Sequence, residues 1–475
     1  DLVRSRGLGD VYKRQVRIET SPFQVLALVE FESVLKKNQH GCAKVSGYIS
    51  AEEKDQLMAM ISEETWAHIW FYDETGEKNI LFCGYIEDLR IHAEADTFLL
   101  TALLKTGTGK MDMGEHIGVY QNGTTSCQKI LETIVQGYAD GKLLMGTEAG
   151  NIGNMVVQYK ETDWEFAKRL AAQKNTVLMA NEKSAGVKYT FGIIEEAGHE
   201  LLSYESYSIV NLIGEYQIKK NCGMTESDAV AYKVKTREIF YLGDAVCFLG
   251  KNYVVGEVER KWEGNEIYNY YLLETKGELR QMTYGNKKII GASLKGNVTS
   301  VKKDTVKVVL MEDETGGWAG QKWFAYSTIY SSPDGTGWYC MPEQGDSVRL
   351  YFPNENEAEA YVNSSVNEQS SNSSARSNPD EKSIKNKQGK EVLFKPDRLV
   401  FTNNKGMSIE IVDDEGILIE SDKSITIKAK ENIGIISMEQ GVEMSAPEKI
   451  AFQQGNTMLE LADDINVQGG RVNMQ

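Results

Sequence analysis

The chain has 475 residues, enough for about three domains, and its 41% apolar content is sufficient to build real cores. A formal net charge of −17 argues against a nucleic-acid surface, which would be basic, and against docking on anionic lipid headgroups. No run of 18 apolar residues occurs, so no membrane-spanning helix is expected, and the N-terminus lacks the apolar stretch of a secretory signal.

Taken in order, residues 1–15 share no periodicity with the residues after them and resemble a translated adapter remnant, so the native start is expected just before Val16. From 16 to 113 the pattern is mostly strand. Phe23, Val25 and Ala27 alternate with other residues, and further short apolar runs end near Leu104. Ala51–Ser62 is the one helical interruption, and the block reads as a first antiparallel barrel.

Residues 114–230 change period. Thr125 with Gln128 reads as a capping box for a helix whose apolar face holds Ile130, Leu131, Ile134 and Val135. A strand at Met155–Tyr159 leads to a second helix, capped by Thr162 or Asp163, with Trp164, Phe166, Ala167, Leu170 and Ala171 on its buried side. Ser208–Ile213 and Tyr216–Lys219 read as strands. Residues 231–287 resume the strand pattern as part of a second barrel. Residues 288–362, with four or five strands and no helix, have the size of an OB-type barrel. From 363 to 392 the composition turns to Ser, Asn, Lys and Glu, which reads as a solvated linker.

The last block, 393–475, repeats every eight residues. Ile409, Ile417, Ile425 and Ile433 stand eight apart, as do Ile411, Ile419, Ile427 and Ile435, and each pair has the form Ile-x-Ile. After Gly441 the frame slips by one, Val442, Met444, Ile450 and Phe452 continue the beat, and Ile465 and Val467 close it. One octad cannot stand alone, because ordering eight residues costs more backbone entropy than two buried isoleucines and their hydrogen bonds return. An antiparallel meander would also alternate, but it has no reason to hold a spacing of eight. The repeat predicts a triple-stranded β-prism or β-helix, formed as a homotrimer, with the isoleucine rows inside.

The segment Val156–Phe166, with Gln158, Tyr159, Asp163, Trp164 and Phe166, followed by Arg169 and Leu170, resembles a hallmark of VgrG-type spike proteins. Asn38-Gln39-His40-Gly41 and Pro342-x-x-Gly345-Asp346-x-Val348 are similar to that family too. The resemblance implies a homotrimeric hub and spike of a contractile injection system, of the kind seen in type VI secretion and in phage baseplates. It implies tail-tube and baseplate partners, delivered effectors, a PAAR-type tip protein, and contact with the target membrane that is only mechanical. Assembly in the bacterial cytoplasm followed by expulsion is the localisation it implies.

Enzymatic chemistry finds little support. Gly107-Thr108-Gly109-Lys110 hints at a phosphate loop but lacks the upstream glycine and the Ser/Thr after lysine. No GxSxG elbow or HExxH helix is present, and Glu312, Asp313 and Glu314 read as a solvated loop rather than a glycosidase pair. The six cysteines have no CxxC spacing and read as buried reduced thiols; the five histidines show no metal-ligand spacing, so neither metal nor cofactor is expected. Trp318, Trp323, Trp338 and Tyr339 could bind glycan or nucleic acid as some OB barrels do, but no basic cluster accompanies them, and they read as surface packed against the prism or hub. No catalytic domain fits in the linker position and no fused effector is seen after the octads, so an unarmed spike, or a chain truncated at its C-terminus, is expected. The competing classes are an envelope-degrading enzyme carried by such a machine and a trimeric phage fibre or adhesin.

Overall fold

The structure, a computed structural model, describes residues 17–72, 76–196, 198–316, 318, 320–367 and 376–471. The suspected remnant at 1–15 lies outside them. The chain is mainly β, and it divides into two compact units at Glu368/Gln369. Among the described residues no helix is long and apolar enough to cross a membrane.

The first unit is built on one 12-stranded sheet, ten of whose strands lie on a single path while His199–Glu200 and Ala245–Phe248 pair off it beside Lys251–Glu263. Its order runs from Arg17–Ser21 through Trp66–Tyr72, Lys78–Glu94, Thr97–Lys105, Cys42–Ile49 and Ala27–Lys36. It continues through Lys251–Glu263, Glu266–Glu274 and Val230–Thr236 to Ser206–Asn211. The sequence predicts two barrels; the structure instead joins both blocks into one open sheet. The joint is the antiparallel pairing of Ala27–Lys36 with Lys251–Glu263, which sets Leu35 opposite Val258. Alternation reveals which face is buried but not which edge pairs, so this merger is invisible in the sequence. On Ala27–Lys36 the side chains of Phe31, Ser33 and Leu35 point into the core with Val45, Phe82, Leu100, Val255 and Tyr271.

A helical layer comes next. Helix α1 (Ala51–Met60) begins at Ser50, whose side chain accepts from Glu53 N. Helix α2 (Cys127–Gln136) is capped by Ser126, one residue later than the Thr125 expected from the capping pattern. Helix α3 (Asp163–Gln173) carries the full reciprocal capping box between Thr162 and Glu165. Helices α2 and α3 pack with the small sheet of Lys142–Met145, Leu178–Ala180 and Lys188–Phe191 around Ile130, Leu131, Trp164, Phe166, Leu170 and Phe191. Tyr216–Lys219 is not a strand. Ile213–Lys219 forms helix α4, and its Tyr216-x-Ile218 spacing imitated β alternation.

The five strands Trp323–Ala325, Thr305–Leu310, Ser293–Lys302, Ser347–Tyr351 and Tyr361–Ser365 make a separate sheet in that order. It is not closed, although a single bridge between Tyr326 and Val362 joins its ends. Its core, with Val298, Val308, Phe324 and Leu350, also takes in Val119, Met155 and Val157 from the strand pair Glu115–Tyr120 and Val156–Thr162 and the residue before it. This sheet and the helical layer therefore share apolar contacts.

In the second unit, Lys382–Lys385, Glu391–Phe394, Arg398–Thr402, Met407–Val412 and Gly416–Ser421 form a five-stranded antiparallel meander. The first of these strands falls inside the stretch expected as linker. A second sheet joins Ile450–Gln454, Thr457–Leu461 and Ile465–Gln468. Residues 422–449 carry no strand. Within one chain, then, the first two octads form a hairpin of a meander and the next two, with Val442 and Met444, form no strand. Two isoleucines per octad bury too little apolar surface to offset the entropy of ordering eight residues.

Candidate functional site

Two places concentrate the features singled out in the sequence. One is a buried junction in the first unit, and the other is an apolar face in the second.

The junction is built around the start of helix α3. Val156–Thr162 runs antiparallel to Glu115–Tyr120 and bulges at Lys160, which takes a left-handed φ of +50°. The chain then turns directly into the helix. Gln158 Nε2 donates to Asp163 Oδ1 at 2.8 Å, and Tyr138 Oη donates to Asp163 Oδ2 at 2.6 Å. The Asp163 carboxylate sits in the first helical turn, where backbone N–H groups and the helix dipole favour negative charge. Burial, then the bond to Asp163, pushes the Tyr138 phenol up.

Behind this turn, Trp164 meets the Tyr189 ring edge to face at 5.6 Å, and Phe166 stacks on Tyr120 at 5.7 Å. Leu170 lies in the same core. Arg169 is completely buried. Its Nε and Nη2 donate to the two Glu161 oxygens at 2.8 and 2.7 Å, Nη2 also to Val157 O, and Nη1 to Glu357 Oε1 at 2.8 Å. Burial pushes the Glu161 carboxyl up, against the opposing pull of the bidentate Arg169 fork. Tyr159 stands apart from this group, packed on the third core with its carbonyl accepting from Asn286 Nδ2.

The early Asn38–Gly41 segment closes onto the same place. Asn38, at φ +62°, exchanges hydrogen bonds with the backbone of Leu178. His40 Nε2 lies 2.8 Å from Asp112 Oδ2, its Nδ1 lies 2.9 Å from Thr108 Oγ1, and its ring is 4.9 Å from Trp164. Asp112 in turn accepts from the Thr162 hydroxyl that caps α3. Burial pushes the imidazole down, against the pull of Asp112. Burial also opposes the charge on Asp112, but bonds from Thr162 and His40 hold its carboxyl below the usual range. A neutral imidazole with its proton on Nε2 satisfies both partners, donating to Asp112 and accepting from Thr108.

A Thr–His–Asp series has the partners of a nucleophilic triad. Thr108, however, is fully buried and also bonded to Thr106, so its hydroxyl meets no solvent. The phosphate-loop hint dissolves for a similar reason. Gly107 lies buried in a 3₁₀ turn, and a Cβ there would fall 2.0 Å from Gly186 O. Glu312–Glu314 is no bare solvated loop either. Asp313 accepts from Val119 N, while Glu314 bonds Ile117 N and His116. In the third motif, Gly345 takes φ +95°, Asp346 accepts from Glu343 N, and Val348 is buried.

In the second unit, strand register aligns the apolar residues. Ile384, Val392, Phe401, Ile409 and Ile419 form one cross-strand ladder over five strands. Phe394, Leu399, Ile411 and Ile417 form a neighbouring ladder on the same face. This face is open, with Ile409 and Ile411 44% exposed, Ile417 70% and Ile419 55%. Ile425, Ile427, Ile433, Ile435, Val442 and Met444 are exposed as well. The last sheet repeats the device with Ile450, Leu461 and Ile465 beside Phe452, Leu459 and Val467. The ladder positions before the octads, such as Val392, Phe394 and Leu399, escaped sequence reading, although the apolar pairs at 392/394 and 399/401 have the same alternation.

No protein-family model and no curated protein matches the chain. Solved structures do match in fold. The chain is similar to the E. coli c3393 protein, a type VI secretion system component with structural similarity to the T4 bacteriophage tail proteins gp27 and gp5. That match has a TM-score of 0.53 at 13% identity, over 74% of this chain and 99% of that one. It is also similar to a chain of the half-lidded Francisella PdpA–VgrG complex, at a TM-score of 0.53 and 9% identity over 85% and 87%. The lidless form of that complex gives 0.52 and 9% over 85% and 98%. The chain thus has the fold of the VgrG-type spike proteins.

Proposed function

We propose that the chain is the hub and spike subunit of a contractile injection machine and works as a homotrimer. The first unit serves as the hub that caps the tail tube and meets the baseplate. The octad region serves as the puncturing needle through which sheath contraction perforates the target envelope and delivers effectors, with a PAAR-type tip protein at its end. The observation that carries this reading is the open apolar face of the second unit. Ladders of isoleucine, leucine and phenylalanine of this extent are stable in water only when covered, and three copies around one axis would cover them mutually while leaving Glu410 and the turn carboxylates 413–415 in solvent.

The fold likeness supports the hub assignment, and the buried ion pairs of the first unit suit a part that must stay rigid under load. Electron microscopy of the purified full chain tests the proposal. Threefold particles with a slender projection are expected; single small particles without rotational symmetry would contradict it.

A further inference from the structure

The five-stranded sheet of the first unit carries a feature that the spike reading does not use. Between Trp323–Ala325 and Ser347–Tyr351 the chain makes an arm that braces itself. Trp338 N donates to Tyr330 O and Thr328 Oγ1 to Trp338 O, both at 2.8 Å, and Ser332 N donates to Thr336 O at 2.9 Å. A bridge joins Ser331 to Gly337, Thr336 Oγ1 donates to Asp334, and Tyr339 Oη is fixed on Lys303 O at 3.0 Å. An arm so ordered nonetheless holds large apolar side chains in solvent, with Trp338 48% and Tyr339 73% exposed. The expectation that these rings are packed away is not met within this unit.

Beside the arm lies an open cleft of about 520 Å³. Its walls combine the Trp338 and Tyr339 rings with the Ser332 and Thr336 hydroxyls, and its one charged side chain is Asp304. Among the described residues the Asp304 carboxylate has no hydrogen-bond or ion-pair partner, and no lysine or arginine lines the cleft. That chemistry selects a ligand. Without a cation it offers nothing to phosphate, sulfate or nucleic acid. Aromatic walls beside hydroxyls and a free carboxylate suit a molecule with one apolar C–H face and many hydroxyl donors. The Tyr339 ring is already held by its hydroxyl on Lys303 O, and the Trp338 backbone is fixed through both its N–H and its carbonyl, so part of the ordering is in place before binding.

The geometry points to a neutral oligosaccharide site on this arm, with Trp338 and Tyr339 stacking on pyranose rings and Asp304 accepting sugar hydroxyls. It would let the particle engage glycan at an envelope surface, and it requires no particular oligomeric state, so its fate is separate from that of the spike proposal.

The test titrates the full chain with cellotetraose, maltotetraose and chitotetraose, monitored by saturation-transfer NMR and tryptophan fluorescence. At least one should bind with a dissociation constant of roughly 1 mM or tighter. Trp338→Ala and Asp304→Asn should each weaken binding by about tenfold or more, whereas Trp323→Ala, on a strand of the same sheet, should leave it unchanged. Asp304→Asn alters an exposed side chain and keeps the fold, so loss of binding there reports the site itself. No binding by any of the three sugars at about 10 mM, binding that survives both Trp338→Ala and Asp304→Asn, or tighter binding of a sulfated heparin tetrasaccharide would each overturn the assignment.

Discussion

Arg169 and Glu357 stand 188 residues apart and meet in the interior at 2.8 Å. One belongs to helix α3 and the other to the 3₁₀ turn before the last strand of the five-stranded sheet, so a single buried ion pair pins two layers whose cores already touch. Glu161 completes the arrangement from the other side of the guanidinium, at 2.7 Å.

Breaking one arm of a buried, hydrogen-bonded pair leaves a charge with no compensation. Arg169→Ala should therefore destabilise the first unit by about 3–5 kcal/mol, read as a lower urea midpoint in tryptophan fluorescence. Glu357→Gln keeps an acceptor oxygen and should cost clearly less. Equal midpoints for wild type and Arg169→Ala would show that the pair does not hold the layers.

The His40 junction should be sensitive to acid. Burial lowers the imidazole pKa in the fold, while the unfolded chain keeps the ordinary value of 6.5. Below that value the unfolded state takes up a proton that the folded state resists, so stability present above pH 6.5 is lost as pH falls. Asp112 and Thr108 face the ring directly, and Lys105 and Lys168 lie near enough to oppose its protonation further. His40→Gln should flatten the pH dependence of the unfolding midpoint below pH 6.5 relative to wild type. His68, also pushed down by burial, supplies the slope that persists. An unchanged profile in His40→Gln would exclude this role.

Thiol reactivity should follow burial. Burial pushes the Cys83 thiol up to about 12 and the Cys127 thiol up to about 11, and both are inaccessible. Cys340, beside the aromatic arm, and Cys42 are exposed, against the expectation that the thiols are buried. Native alkylation at pH 8 should modify Cys340 quickly and leave Cys83 and Cys127 intact until denaturant is added. Peptide mass spectrometry checks this, and early labelling of Cys127 would contradict the packing around α2.

The open face of the second unit makes a sharper demand. Ile409→Asp or Ile419→Asp alters side chains that are already half exposed, so each should cost the isolated chain about 0.5 kcal/mol or less. If the face is covered by other copies, the same changes place carboxylates in an apolar contact and should abolish assembly at micromolar concentration. Glu410→Gln, on the opposite face of the same strand, should leave assembly intact. Sedimentation velocity separates the outcomes.

Much of the local structure was legible. Thr162 followed three residues later by Glu165 announces the cap of α3, and the Ile-x-Ile pairs announce strands with one apolar face. Glu266–Glu274 carries a weak strand signal because buried Asn269 interrupts its apolar alternation; its amide is held by the carbonyls of Arg237 and Glu238, which lie more than thirty positions away in sequence. Tyr216-x-Ile218 imitated a strand because a two-residue alternation cannot be told from one turn of helix. The meeting of His40 with Asp112, and of Arg169 with Glu357, depends on tertiary contact and leaves no local signal. Strand pairing is equally silent in one sequence, which is why two expected barrels became one open sheet.

The most direct measurement is the solution mass of the full chain by light scattering on a size-exclusion column. The trimeric spike predicts three times 53.2 kDa, persisting in mild detergent and lost in Ile409→Asp. A single species at 53.2 kDa would mean that the isoleucine ladders face water in the working molecule, and the spike proposal would lose the observation that carries it.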